Sequence, residues 1–342
     1  MTIKTQRLLA RAKKLIKKGE IEEAQKIYFG VLKSFPNNQE AKNGLLFKKS
    51  IESKPTQFEL DEVMNLYSSG QVQEALSKIN LLINRYPNNA LLFNINGACY
   101  SIIGPVESAI SSFEKAISIK SDYAEAHYNL GVAFHSIPQL SKALNCYKKA
   151  ISLKHSYPAA HNNFGLVSLT LGQLESAVKS FEWAIAYSPE YAEAHNNLGA
   201  TFQELKDYEK AMIQFKKAIA INPRYAQAFH NLGILSEILD LKEDALIYYD
   251  RAIAFNPEFA EAYRNLSKIK QFSSKDPQIT QMLALQSKSN INLSDNIKLC
   301  FALAKVNEDL ANYDKFFEFL NEGNRLRKEE LNYSISESKN FH

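Results

Sequence analysis

One interval, 34 residues, runs through the middle of this 342-residue chain. Ala75, Ala109, Ala143, Ala177, Ala211 and Ala245 are each that far apart, and so are Gly97, Gly131, Gly165, Gly199 and Gly233. Three further ladders keep the phase: Phe113, Tyr147, Phe181, Phe215 and Tyr249; Ala116, Ala150, Ala184, Ala218 and Ala252; Tyr123, Tyr157, Tyr191, Tyr225 and Phe259. Only 12 residues of the chain are Gly, so five in register do not arise by chance. A fixed period of this length marks one supersecondary unit used again and again, each needing a neighbour to cover its apolar face.

Each unit reads as two helices. In residues 192–225, Ala194, Leu198 and Phe202 recur at helical spacing, as do Ala211, Phe215 and Ala218, with Glu204–Asp207 as the turn between them. Pro223 ends the unit, because proline lacks the N–H that a helix needs and its ring clashes with the preceding turn. Pro87, Pro189 and Pro257 fall at the same place, where two other units carry Ser121 and His155. Gly costs about 1 kcal/mol in a helix relative to Ala, so its recurrence demands a close approach. The spacing puts Gly199 and Ala211 at the crossing of the two helices and the aromatic ladder between successive pairs. The expected fold is all-α: an α-solenoid, a right-handed superhelix of helix-turn-helix repeats.

The pattern His195, Leu198, Gly199, Phe202, Ala211, Phe215, Ala218 and Pro223 resembles the tetratricopeptide repeat. Five units from about Ala90 to Phe259 carry it, Thr56–Asn89 carries it through Ala75 and Pro87, and Ala12, Ala24, Tyr28 and Pro36 carry a further unit. Ala24 and Ala75 are 51 residues apart, one period and a half, so residues 38–54 are expected to form an unpaired helix and a connector. The resulting division is a basic N-terminal unit with its out-of-phase helix (1–55), the main array (56–271) and a degenerate helical cap or linker (272–342). The repeat specifies fold far more tightly than function.

Periodicity is lost after Gln271. Ser273–Pro277 reads as a loop and helix start, and a later helix is entered at Ser294 with Asp295 in its first turn. Phe301–Ala304, then Tyr313, Phe316, Phe317 and Phe319, are apolar enough to cap the stack, while Ser334–His342 is polar and reads as frayed. Tyr263–Leu266, Asp276-Pro277, Phe301–Lys305, Glu308–Leu310 and Glu322–Arg327 resemble the stretch that joins repeats to the catalytic domain in bacterial tetratricopeptide-repeat sulfotransferases. That resemblance implies a recognition arm whose catalytic domain lies beyond His342, since residues 1–342 contain no G-x-x-x-x-G-K phosphate loop. As given, the chain is expected to have no enzymatic activity and no cofactor.

Charge is uneven. Residues 1–50 hold 12 Lys or Arg against 4 Glu, and Arg7, Arg11, Lys13, Lys14, Lys17 and Lys18 crowd one end. No aromatic or Gly-rich recognition motif accompanies them, so a solvated helix face is favoured over nucleic-acid binding. No run approaches a membrane helix, and the N-terminus lacks the continuous apolar stretch of a secretory signal. Cys99, Cys146 and Cys300 are too widely spaced for a disulfide framework or a metal clamp, which fits a cytoplasmic, reducing setting.

The candidate site is a second polar ladder. Asn129, Asn163, Asn197, Asn231 and Asn265 keep the 34-residue interval inside five first helices. Asparagine prefers helix caps to interiors, so this register needs a cause. The repeats of protein O-GlcNAc transferase are similar to these, and there a matching ladder grips the backbone of an extended polypeptide, a task that suits a group able to donate and accept. The structural alternative is a bridge from each Asn to the neighbouring repeat. Asn162 and Asn196 widen the strip, Glu125 and Glu193 add acid one turn earlier, with Glu261 in the same position, and Arg264 with Lys268 makes its C-terminal end basic. First-turn acids also follow from the helix dipole. His127, His161 and His195 stand one per repeat where the family carries an aromatic and are read as core. The expected partner is a protein or peptide, held without metal or membrane; the sequence does not fix an oligomeric state.

Overall fold

The computed structural model describes residues 3–17, 21–51 and 54–331, all helix and connecting turns. Lys18 and Ser334–His342 lie outside the described residues. The chain divides into two compact units, Met1–His155 and Ser156–His342. The first holds α1 (Ile3–Lys17), α2 (Ile21–Ser34), α3 (Gln39–Ile51), α4 (Gln57–Ser68), α5 (Val72–Arg85), α6 (Ala90–Ile103), α7 (Val106–Ile119), α8 (Ala124–Ser136) and α9 (Leu140–Leu153). The second holds α10 (Pro158–Thr170), α11 (Leu174–Tyr187), α12 (Ala192–Glu204), α13 (Tyr208–Ile221), α14 (Ala226–Ile238), α15 (Lys242–Phe255), α16 (Ala260–Ile269), α17 (Pro277–Gln286), α18 (Leu293–Asp309) and α19 (Tyr313–Glu330). The all-α solenoid expected from the period is what the chain forms.

In the first unit, α1, α2 and α3 enclose Leu9, Ala12, Ala24, Tyr28, Val31 and Ala41. Helix α3 packs on α2 and α1, with no comparable packing against α4 among the described residues. Helix α4 opens on a capping box: the Thr56 hydroxyl accepts from the Glu59 N–H while the Glu59 carboxylate accepts from the Thr56 N–H, which satisfies two otherwise orphaned groups. A polar chain crosses the core nearby. The Ser112 hydroxyl donates to Asn96 Oδ1 (2.7 Å), and Asn96 Nδ2 donates to Asn80 Oδ1 (3.0 Å).

The hairpins share one contact that corrects the sequence reading. A Cβ placed on Gly199 would lie 2.7 Å from the ring of Phe215 in its own hairpin, where the ring was expected only between successive pairs. Gly97, Gly131, Gly165 and Gly233 meet Phe113, Tyr147, Phe181 and Tyr249 in the same way. Each aromatic therefore lies first on the glycine of its own hairpin; Phe215 then joins Leu232 and Leu235 of the next first helix in one buried cluster. The glycine is there to admit a ring 16 residues later, which is why those two ladders travel together.

The C-terminal segment continues the stack. Helix α18 lies along α16, and α19 folds back on α18. Leu299, Ala302, Leu303 and Val306 enter the same core as Tyr249, Tyr263 and Leu266. Lys298 Nζ pairs with Glu261 (3.0 Å), Arg264 lies over the Phe301 ring (5.6 Å to its centroid), and the Phe272 N–H donates to Asp309 Oδ2 (3.1 Å). Each pair is 37 residues apart, so α18 runs parallel to α16. Two expectations fail here. Helix α18 is capped by Asn292, whose side chain accepts from the Asp295 N–H, rather than by Ser294. Tyr313 and Phe317 face solvent instead of covering the core; the cap is made by α18 together with Phe319 of α19.

Candidate functional site

The asparagine ladder lies where the first helices stand side by side. Asn129 Nδ2 donates to Asn94 Oδ1 (3.0 Å) in the first unit. In the second, Asn197 Nδ2 donates to Asn162 Oδ1 (3.0 Å), Asn231 Nδ2 to Asn196 Oδ1 (2.9 Å) and Asn265 Nδ2 to His230 Nε2 (3.0 Å). Every bond reaches back 35 residues, one period plus one. Asn129, Asn197, Asn231 and Asn265 each tie their own first helix to the preceding one. The acceptors Asn94, Asn162, Asn196 and His230 stand one residue before the equivalent ladder position, and His230 was missed. The signal was available: polar side chains keep the 34-residue interval at that position too.

The bridge uses one N–H of an amide that has two, and leaves the oxygen. Asn129, Asn163, Asn197 and Asn231 are each half-buried. Among the described residues, Oδ1 of Asn129 and of Asn197 accepts no hydrogen bond, while Asn231 Oδ1 accepts from Gln227 (3.2 Å) and Asn163 Oδ1 lies 3.5 Å from Asn162 Nδ2. Asn265 differs: it is buried, and its Oδ1 accepts from Lys268 (2.7 Å). Half-buried ladder amides therefore stand on α8 in the first unit and on α10, α12 and α14 in the second, where the series closes at α16.

The neighbouring charges are engaged. Glu125 pairs with Lys154 (2.9 Å), whose hydrogen bond holds that carboxyl below its usual range. Glu193 accepts from Asn162 Nδ2 (3.0 Å), adding a second tie between α10 and α12. Of the expected basic end, Arg264 is half-buried over the Phe301 ring of α18, while Lys268 stays exposed and donates to Asn265. The histidines serve packing: His161 and His195 are buried, and His161 lies beside the Trp183 and Tyr187 rings. His195 Nε2 lies 3.1 Å from the Pro189 carbonyl, His127 Nε2 lies 3.0 Å from that of Ser121, and the Tyr263 hydroxyl donates to that of Pro257 (3.2 Å). This bond to the carbonyl six residues back locks α8, α12 and α16 each to the turn before it. Among the described residues no three His, Cys, Asp or Glu side chains gather in a metal-binding group, and no helix is long and apolar enough to cross a membrane.

Hairpins closed by a glycine under an aromatic ring, with first helices side by side, make this an α-solenoid of helical hairpins. Residues 192–225 match the tetratricopeptide repeat model, and residues 102–137, 139–172 and 169–206 match a second TPR repeat model; these segments are tetratricopeptide repeats. Over 129 residues, 38% of this chain, the sequence is 26% identical to human DnaJ homolog subfamily C member 3, and equally so to the chicken protein of that name. The matched stretch spans 25% of those relatives' length. Two solved structures share the fold. The APC/C hetero-tetramer Cut9-Hcn1 aligns over 86% of this chain and 55% of its own, with a TM-score of 0.56 at 19% identity. PilW, a type IV pilus biogenesis factor, aligns over 63% of this chain and 99% of its own, with a TM-score of 0.56 at 21% identity.

Proposed function

We propose that this protein is a non-catalytic interaction scaffold that holds a polypeptide against the ladder amides of its first helices. The carrying observation is the divided use of the ladder amides. One N–H of Asn129 and of Asn197 fixes the distance to the preceding helix, and the Oδ1 of each is left to accept from a backbone N–H. A row of such acceptors, spaced by the repeat, suits the backbone of an extended chain more than any one side chain. The bridge and the grip are two uses of one amide rather than rival explanations. The three cysteines form no disulfide, which fits a reducing, cytoplasmic setting.

The test is an array of immobilised 14-residue peptides probed with the full chain, repeated with Asn129→Ala/Asn231→Ala. Retention of a subset of peptides by the parent, and its loss in the variant under conditions where both remain folded by circular dichroism, supports the reading. Equal retention by both overturns it. A second reading, the recognition arm of a sulfotransferase, has one structural observation in its favour: Tyr313 and Phe317 on α19 stand exposed where a following domain would cover them. The reading frame past His342 decides it.

A further inference from the structure

Between the α10–α11 turn, α12 and α14 lies a cavity of about 390 Å3 on the ladder face. Its apolar walls are Leu169, Leu174 and Ala200; its polar groups are Gln203, Glu204 and the ladder residue Asn231. Gln203 Oε1 is buried and has no hydrogen-bond partner among the described residues, a costly condition for an amide oxygen in a folded protein. The Glu204 carboxylate is exposed and makes no ion pair among the described residues. Acceptors thus outnumber donors in a pocket whose walls are otherwise hydrocarbon.

The cavity exists because two residues are small. Gly172 turns the chain at φ +71°, in the left-handed region that favours glycine, and presents no side chain to the cavity. Thirty-four residues on, the matching positions hold Lys206 for Gly172, Ile234 for Ala200 and Ile238 for Glu204. There Glu237 stands in place of Gln203, and its carboxylate already accepts from the Tyr249 hydroxyl. The next repeat therefore carries larger side chains at these positions and satisfies the acceptor, and this one does neither.

We propose that the pocket is a specificity subsite for an arginine side chain of the bound polypeptide. The aliphatic stem lies along Leu169, Leu174 and Ala200, and the guanidinium donates to Gln203 Oε1, the Glu204 carboxylate and Asn231 Oδ1. A planar group with five N–H donors and no acceptor matches two amide oxygens and a carboxylate better than a lysine ammonium does. This rests on the scaffold reading above, which it sharpens from backbone grip to side-chain choice.

The experiment uses the full chain and four fluorescein-labelled peptides, Gly-Ala-Ala-Ala-X-Ala-Ala-Ala-Gly, with Arg, Lys, citrulline or norleucine at X, read by fluorescence anisotropy. The Arg peptide is expected to bind about tenfold tighter than the citrulline peptide, which keeps its shape without its charge, with Lys between them. Glu204→Gln and Ala200→Ile should each erase that preference, the first by removing the carboxylate and the second by filling the space that the shared stem of both side chains occupies. Equal affinity for all four overturns the subsite and leaves the backbone grip standing, as does an Arg preference that survives both substitutions. Absence of binding by all four removes the grip and the subsite together.

Discussion

From α10 to α16, successive first helices are tied by neutral side chains, Asn197 to Asn162, Asn231 to Asn196 and Asn265 to His230, each 35 residues apart. From α16 to α18 the ties involve charged groups, Lys298 to Glu261, Arg264 over Phe301 and Asp309 to the Phe272 N–H, each 37 residues apart. The two regions solve one packing problem with different chemistry. Two adjacent side chains, one donating backward and the other accepting from the next helix, as Asn197 and Asn196 do, can be repeated without limit, so they build an array. A charged or stacked joint has no second face to offer. Leu299–Ala302 puts no amide where the ladder would continue, so α18 ends it.

The contrast is broken most sharply in the core. Phe215 is wholly buried against Gly199 and the next hairpin, so Phe215→Ala should cost about 3–5 kcal/mol in urea unfolding. Phe301 is only half-buried, and Phe301→Ala should cost about 1–2 kcal/mol by the area it exposes and the lost stacking of Arg264. Equal losses would remove the distinction between array and joint.

Acid separates the regions next. Burial pulls the pKa of His230 from 6.5 down to about 4. A base with a depressed folded-state pKa contributes stability above its unfolded value, and that contribution drains as pH falls from 6.5 toward 4, by about 3 kcal/mol in all. His230→Gln keeps an acceptor for Asn265 and should flatten urea midpoints across that window. The bridges from Asn197 and Asn231 have no titrating partner and should hold throughout.

Asn197→Ala strips the buried Asn162 oxygen of its donor and should cost about 1–3 kcal/mol. Lys298→Ala, in a half-exposed pair, should cost under about 1 kcal/mol. The smallest effect is expected at Asp276. The Lys270 hydrogen bond holds its carboxyl below the ordinary 3.8, so its contribution is present above that value and fades as pH falls below it. Asp276→Asn should remove that last acid step near α17 and leave the pH 4–6.5 limb intact.

Much of the array was legible because its physics recurs at one interval. Gly199 and Phe215, Ala211 and Ala218 carry the same burden in every unit, so their register names the fold. The offset of the amide bonds was not legible, because parallel helices meet one residue out of phase and a period shows only the phase. The joint was hidden for a different reason. In α18 and α19 the small residue has moved to the second helix, where a Cβ on Gly323 would press on Cys300 and Phe301 at 3.2 Å, and the interval has stretched to 37. The arginine pocket is defined by side chains that Gly172 and Ala200 lack, and missing volume leaves no mark on a hydrophobic pattern.

The account rests on the ladder amides gripping a chain as well as bridging helices. The most direct measurement is the side-chain NH2 resonances of 15N-labelled protein titrated with a peptide recovered from the array. Asn129, Asn197 and Asn231 should shift together and saturate at one concentration. Saturable shifts confined to the second helices α9, α11 and α13, with those amides unmoved, would contradict it.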